Sequence, residues 1–400
     1  MPVRIPPLAI SAFTATSAAG QGRDALVAAL RERRSGLVPN DISSRPLPCW
    51  IGRVAGIEAM GVPGPLVPLD CRNNRLAWLG LNQDGFLGAA RAAVARHGPA
   101  RVALVLGTST ASIAATEEAY RRYDAATGFP PGLLEPLLHS PHSLGVFVQA
   151  VLGTAGPCVT VATACSSSAK VFAQAERLIR HGLADAAVVG GVDTLCDSVL
   201  FGFNSLELVS PEPCRPFDVR RRGISIGEAA GFAILERADA APQAPRLIGW
   251  GESSDAHHMS SPHPDGLGAR RSMEDALARA GLALREVDYV NLHGTATPKN
   301  DEVEAAVIAR LFPATTRASS TKGWTGHTLG AAGILEAVIA LLALEQGFVP
   351  GTLNCDELDP HCGPQLARDN EPLAVRFALS NSFGFGGNNC TLAFAATAVH

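Results

Sequence analysis

The sequence predicts an α/β fold built around large central sheets. Three observations predict it. Short apolar strands alternate with helical patterns along most of the chain. Most of those strands are apolar on both faces, as strands covered by helices on both sides must be. The 400 residues are 47% hydrophobic and only 18% charged. An average globular protein is roughly 25% charged, so this chain is not disordered and buries a large core.

The elements follow in order. Residues 1–20 read as a first strand and turn, because Pro6, Pro7, Ser11, Thr14 and Ser17 break up the apolar core that a secretory signal needs. Helical patterns fit Asp24 to Arg34 and Asn74 to His97. Strands fit Val102 to Leu106, Val159 to Ala162, Ala186 to Val189 and Phe232 to Leu235, with a helix from Ser166 to His181. Further strands fit Leu247 to Trp250, Val287 to Leu292, Ala374 to Leu379 and Thr391 to Phe394. Helices fit Ser272 to Ala280, Asp301 to Leu311 and Leu329 to Gln346.

This order suggests two similar halves. Each has a strand, then small residues, then a long Ala-rich helix ending at a glycine: Cys165 to Gly182 in one, His327 to Gly347 in the other. The halves are placed at residues 1–240 and 241–400. A less regular insertion at about 108–157 holds Pro130, Pro131, Pro136 and Pro141. It reads as a cap on the site or as a subunit contact, and the apolar segment from Leu144 to Leu152 is its expected contact surface.

Several classes are disfavoured. Lys and Arg number 33 against 37 Asp and Glu, a net charge of −4, whereas a general nucleic-acid binder is usually basic. The nine cysteines are odd in number and include no Cys-x-x-Cys, which argues for a reducing compartment and against structural zinc. No metal is expected; His257, His258 and His263 read as a solvated loop. The longest apolar stretch, from Leu329 to Leu344, is interrupted by Glu336 and falls short of a membrane span. A soluble, cytoplasmic protein is expected.

Four constellations carry chemistry. In the first, Val161-Ala162-Thr163-Ala164-Cys165-Ser166-Ser167-Ser168-Ala169, a buried strand runs into a helix whose first residue is Cys165. There the helix dipole would lower the thiol's pKa, and free amides would hold an oxyanion. A Cys among small residues is, taken alone, more often inert core. The second, Asn291-Leu292-His293-Gly294-Thr295-Ala296-Thr297, puts a His at the end of a strand, where α/β sheets place their sites. Asp301 and Glu304 follow on the next helix. For them a dipole partner on a solvated face competes with a supporting polar role. The third runs from Ser320 to Gly333, with Lys322 and His327 flanking a Gly-containing turn; a lone Lys is usually a surface charge. The fourth, Ser380 to Asn389, is a Gly-rich loop between strands. It lacks the Lys and the strand-to-helix setting of a phosphate cradle, so an aromatic flap is the better reading.

Together, in order, these segments resemble the elongating β-ketoacyl-acyl-carrier-protein synthases of the thiolase superfamily: Cys165, then His-Gly-Thr-x-Thr, then Lys-x-x-x-x-His, then Asn-Ser-Phe-Gly-Phe-Gly-Gly. Cys214 to Asp218 (Cys-Arg-Pro-Phe-Asp) and Gly227-Glu228-Ala229 fit as well. The resemblance implies a thiolase-like five-layer αβαβα fold of two similar halves. It implies decarboxylative condensation of malonyl carrier with an acyl group held on Cys165. His293 and His327 would promote decarboxylation by holding the enolate oxygen. The N–H groups of Cys165 and Phe385 would form the oxyanion hole. Lys322 and Glu336 would order the polar network. Phe385 would act as a gate with Phe383 behind it, and Thr295 and Thr297 would contact the pantetheine arm. Arg72 and Arg75 match positions near the family's carrier surface, with Arg121 and Arg122 weaker candidates. No resident cofactor is implied, since the phosphopantetheine comes on the acyl carrier protein. The implied partners are that carrier and either a second copy or a nucleophile-free chain-length factor.

The chain departs from the family in two places. Arg222-Gly223-Ile224 stands where Asp-Gly-Phe is usual, which would widen the cavity near Cys165, and Asn388 stands where Thr is usual. Arg72-Asn73-Asn74-Arg75 and Leu106 to Thr110 further resemble the synthases of aryl-polyene or xanthomonadin-type pigment clusters. The alternatives are a non-catalytic chain-length subunit and a fatty-acid synthase of primary metabolism. A thiolase would need a second Cys in the last loop, and an initiating synthase would use Cys, His and Asn.

Overall fold

The computed structural model describes residues 3–133 and 135–397. Ten strands carry the architecture: β1 Leu8–Ser17, β2 Val102–Gly107, β3 Cys158–Val161, β4 Ala186–Asp193, β5 Ala229–Arg237, β6 Arg246–Ser254, β7 Tyr289–Asn291, β8 Arg317–Ser319, β9 Phe377–Gly384 and β10 Asn388–Ala395. The first five lie in the order β3-β2-β4-β5-β1 and the second five in the order β8-β7-β9-β10-β6. Numbered within its half, each reads 3-2-4-5-1. The directions repeat too: the β2 and β7 pairings are parallel, and the rest are antiparallel. The two runs meet where β1 and β6 pair at Leu8 with Leu247.

The helices are α1 Arg23–Arg31, α2 Arg72–Leu81, α3 Phe86–His97, α4 Ile113–Arg121, α5 Ser143–Leu152, α6 Ser167–Arg180, α7 Asp197–Ser205, α8 Leu267–Ala280, α9 Pro298–Leu311, the one-turn α10 Lys322–Thr325 and α11 Ala332–Gln346. Three apolar clusters define five layers. On one outer side α2, α3 and α5 cover the first run through Leu76, Phe86 and Phe147. On the other, α8 and α9 cover the second run through Met273, Leu277 and Ile308. Between them α6 and α11 are sandwiched, with Phe172, Ile334 and Leu341 in the shared core. Along β2, Leu104 and Leu106 face the outer cluster while Ala103 and Val105 face the inner one. That period-2 split is why the strand is apolar on both faces. Each fully buried Leu or Ile here contributes about 1.5–3 kcal/mol.

Small residues let the inner helices approach. A Cβ on Gly107 would lie 2.5 Å from the Ser168 amide, and one on Gly333 would lie 2.4 Å from the Ala169 amide. Only glycine fits such backbone contacts. α6 is therefore pressed against β2 on one side and against α11 on the other.

Several expectations need correction. The helix expected from Asn74 to His97 is two, because Asp84 and Gly85 take left-handed φ of 53° and 69°. The insertion contains α4 and α5. Leu144, Phe147, Val148 and Leu152 on α5 are buried in the chain's own core, so they offer no contact surface. Strand β8, Arg-Ala-Ser, lacks an apolar run to announce it. The Gly-rich segment is mostly strand: β9 reaches Gly384 and β10 starts at Asn388, leaving Phe385–Gly387 as the turn. Leu329–Gln346 is, among the described residues, the one helical stretch long and apolar enough by composition to cross a bilayer. It is 89% buried inside the protein, which is the environment its composition fits here.

Candidate active site

Cys165 sits on a sharp turn between β3 and α6. The preceding residue, Ala164, has a left-handed φ of 53°, a conformation a non-Gly residue keeps only when its surroundings impose it. Hydroxyls impose it here. Ser167 Oγ donates to the Ala164 carbonyl at 2.6 Å and accepts from the Thr163 amide at 2.9 Å, while Ser166 Oγ donates to the Thr163 carbonyl at 2.9 Å. Cys165 thus lies two residues before the helix, not at its first position. The expected lowering of its pKa does not follow. Burial pushes the thiol up to about 12, and the opposing pull of Lys322 and of the Phe385 N–H on the sulfur does not offset it.

A group able to accept that proton lies beside the thiol. His327 Nε2 is 3.0 Å from Cys165 Sγ. The His293 ring stands edge-on to His327, with centroids 5.3 Å apart. One ligand-capable atom from each of the three residues lies within 4.8 Å of the others, and no other group of three His, Cys, Asp or Glu is so close among the described residues. Both imidazoles are held well below the usual 6.5, first by burial and then by the Lys322 charge. They are neutral at pH 7, so each offers one ring N–H and one lone pair.

Backbone clamps hold the two rings. His293 follows β7, and Glu304 on α9 accepts from its amide at 2.9 Å and from the Gly294 amide at 2.8 Å. Burial pushes the Glu304 carboxyl up to about 7. Asp301 accepts from the Phe217 amide at 2.8 Å and from the Ala296 amide, whose residue has a φ of 67°. Both carboxyl groups are buried against these amides, which excludes the solvated face for them. The His327 amide donates to Ser225 O at 2.7 Å, and its carbonyl accepts from Gly227 N at 3.0 Å. Lys322 donates its ammonium to the His293 carbonyl and to Glu336 on α11. It does not touch Cys165. It ties the His293 strand end to the central helix and keeps positive charge beside both rings.

A cavity of about 400 Å³ opens onto these three side chains. Its apolar walls are Phe203, Leu208, Ile224, Phe383 and Phe385; Thr295, Thr297 and Met259 also line it. Phe385 packs on Phe203 at 5.6 Å between centroids, and Phe383 on His293 at 5.8 Å. Thr295 and Thr297 bond to each other at 2.9 Å. Asn388 takes Lys170 Nζ at 3.2 Å. Residues the sequence reading missed include Phe203, on a helix it did not assign, and Asn381, which donates to Glu304 at 3.2 Å. Asn381 was legible only as part of the Gly-rich motif.

The two arginines expected near the carrier surface are both ion-paired within the chain. Arg72 makes a two-point contact with buried Glu228, at 2.6 and 3.0 Å, and a third bond to Glu58. Glu228 also accepts from the Val54 and Leu195 amides. Arg75 grips Asp70 at 2.6 and 2.7 Å. Both guanidinium groups are committed to ion pairs within the chain, and neither lines the cavity. Of the weaker candidates, Arg121 pairs with Asp197 at 2.8 Å, and Arg122 is exposed.

Comparison with known proteins agrees with this geometry. The sequence model of the beta-ketoacyl synthase N-terminal domain matches residues 81–241, and that of the C-terminal domain matches residues 246–356. Nodulation protein E of Rhizobium meliloti is 36% identical over 307 residues, 74% of this chain and 75% of that protein. The chain belongs to the beta-ketoacyl synthase family. Another relative of this synthase is the mitochondrial 3-oxoacyl-[acyl-carrier-protein] synthase of Arabidopsis thaliana, 40% identical over 264 residues. That match spans 61% of this chain and 57% of the enzyme, less than two thirds of its length. The ketosynthase of Xenorhabdus doucetiae, solved in complex with its chain length factor, is 36% identical with a TM-score of 0.90 and covers 98% of both chains. The fold is therefore the thiolase-like ketosynthase fold.

Proposed function

We propose that this synthase joins a malonyl unit to an acyl group carried as a thioester on Cys165, releasing CO₂ and extending a fatty-acyl or polyketide chain. The observation that carries the reading is the 3.0 Å contact between His327 Nε2 and the Cys165 thiol, with His293 facing the same point. The thiol is protonated at rest, so neutral His327 takes its proton as the sulfur attacks an acyl thioester. That proton then passes to the departing pantetheine sulfur. The N–H groups of Cys165 and Phe385 hold the tetrahedral oxyanion. When the malonyl thioester replaces the first carrier, both imidazoles donate N–H to its carbonyl oxygen. The C–C bond to the carboxylate breaks, CO₂ leaves, and the enolate carbon attacks the acyl group. The Cys165–acyl bond breaks, and the thiolate regains a proton from solvent. Lys322 and Glu336 hold the rings in place and do not exchange atoms with substrate. No resident cofactor is needed.

The carrier's pantetheine arm would pass Thr295 and Thr297, whose hydroxyls lie in the cavity. A second ketosynthase-like subunit is the proposed structural partner, either another copy or a chain-length factor; the Xenorhabdus relative was solved with the latter. Nine free cysteines support a reducing, cytoplasmic setting. Ile224 lines the cavity beside Phe203 and Leu208, and an aliphatic side chain where the family usually has an aromatic one would leave room for a stiff conjugated chain of the pigment type. The deciding experiment is intact-protein mass spectrometry with a panel of acyl carriers, followed by malonyl carrier. The acyl mass should appear on Cys165 and vanish as a β-ketoacyl carrier forms. Acylation of another cysteine at full turnover would refute the assignment. Competition between saturated and polyenoic carriers of equal length tests the pigment reading, which fails if the saturated chain wins.

A further inference from the structure

The turn after β2 takes no part in the chemistry above, yet it touches the segments that carry both members of the reacting pair, at Ala164 and at Gly330. Asp193, the last residue of β4, is completely buried. Its Oδ1 accepts from Thr108 Oγ1 at 2.7 Å, the Ser109 amide at 2.8 Å, the Thr110 amide at 2.7 Å and Thr110 Oγ1 at 2.8 Å. Its Oδ2 shares the Ser109 amide at 3.0 Å. So many donors on one buried carboxylate satisfy its charge and leave the turn a single conformation. Ser109 Oγ in turn donates to the Ala164 carbonyl at 3.2 Å, on the strained residue just before Cys165. On the other side stands Gly330, three residues after His327. A Cβ on Gly330 would lie 2.7 Å from Asp193 Oδ2 and 2.7 Å from Ser109 Oγ.

We propose that Asp193 is a positioning residue: through the Thr108–Thr110 turn it sets Cys165 against His327. The proposal rests on the condensing role read above for that pair. The Thr108–Thr110 turn comes from the first half, and Gly330 follows His327 in the second. The carboxylate therefore works where the halves meet, and it fixes a distance that neither half controls alone. An amide in its place would turn an N–H toward the Ser109 N–H and lose the charge that gathers the donors. The charge also faces the thiol. Cys165 feels Lys322, Asp193 and Glu336, with His327 in contact and His293 beside it.

The test compares Asp193→Asn and Ser109→Ala with the intact enzyme in two measurements. One is acylation of Cys165 by a small acyl-pantetheine thioester; the other is the pH profile of its alkylation by iodoacetamide. Asp193→Asn should lower kcat for acylation about 10-fold or more, as misplacement of a reacting group does, with KM within about twofold. Its alkylation profile should move to lower pH, because a negative charge beside the thiol is gone; a merely structural role would not move it. Ser109→Ala keeps the carboxylate and should lose several-fold in kcat with an unchanged melting temperature. Wild-type kcat and an unmoved profile in Asp193→Asn would overturn the proposal. If that variant does not fold, wild-type kcat in Ser109→Ala overturns it alone. Alkylation reads the turn whether or not the enzyme condenses, so failure of the condensing role and failure of this proposal are separable.

Discussion

The two halves share one strand order and put different chemistry at the same places. In the first, β2 ends in the Thr108–Thr110 turn and β3 leads to Cys165. In the second, the equivalent β7 ends beside His293, and β8 leads to Lys322 and His327. One half supplies a buried thiol, the proposed nucleophile. The other supplies neutral donors steadied by buried charge. Topology sets where a reacting group stands, at the carboxyl ends of parallel strands, and the side chain sets what it does. The outer edges differ as well. β8 is covered by Gln365–Ala367, whose backbone brackets Ala318 with two bonds of 2.8 Å. β3 has no strand beyond it among the described residues, and each of its residues is partly exposed.

The comparison can be broken from either side. The largest effect is expected from emptying the first half. Cys165→Ala should abolish condensation by on the order of 10⁴-fold or more, as loss of a nucleophile does, without changing the melting temperature; a surviving acyl adduct in the mass spectrum would contradict it. Next come the donors of the second half. His293→Ala and His327→Ala should each slow CO₂ release from malonyl carrier by about 10²–10³-fold. Only His327→Ala should also slow acylation, because only His327 touches the sulfur. Equal acylation rates in the two variants would erase that division of labour.

Removing one support from each half sharpens the contrast. Arg72→Ala strands the buried Glu228 carboxylate and should cost about 3–5 kcal/mol in denaturant unfolding. It should affect carrier-bound and pantetheine-bound substrates alike, since Arg72 is a structural ion pair. A selective rise in KM for the carrier would restore its docking role. Glu304→Gln should lower kcat by on the order of 10-fold through the His293 backbone, and a normal kcat would remove Glu304 from the site. The smallest effect concerns pH. Both imidazole pKa values lie below 6.5, so the rings stay neutral as pH falls from 7.5 to 6. Over that range malonyl decarboxylation should change only as far as the Glu304 and Glu336 carboxyls, both pushed up to about 7 by burial, titrate; an NMR titration of either imidazole with a midpoint at 6.5 or above would contradict the burial argument.

Much of this was legible in the sequence. Cys165, His293, Lys322 and His327 announced themselves through glycines and hydroxyls at fixed spacing, because strand ends that carry chemistry need tight turns. What stayed hidden depended on long-range partners. Nothing near Cys165 reveals that it will be desolvated, so its thiol was expected to be acidic and is the reverse. Arg72 looked free until Glu228, 156 positions away, closed on it. Asp193 reads as a strand's last polar residue until the Thr108–Thr110 turn folds onto it. β8 and α7 were missed for a different reason: Arg-Ala-Ser has no apolar period, and the α7 segment Asp-Ser-Val-Leu-Phe-Gly-Phe-Asn-Ser has no clean helical one.

The packing of α6 bears on how such an enzyme diverges. Gly107 and Gly333 bring backbone to within a methyl's width of the nucleophile helix, so even an alanine there has nowhere to go. The helix cannot drift, swell or rotate as sequences change, and the distance from sulfur to imidazole is inherited as a fixed quantity. Variation is left to the rim. Phe203, Leu208, Ile224 and Met259 line the cavity on segments outside that packed interior, and Met259 is 77% exposed. New substrates should therefore be acquired by exchanging rim residues one at a time around an unchanging reaction, and a lineage's history of substrates should be written there and not in the helix that follows the sulfur.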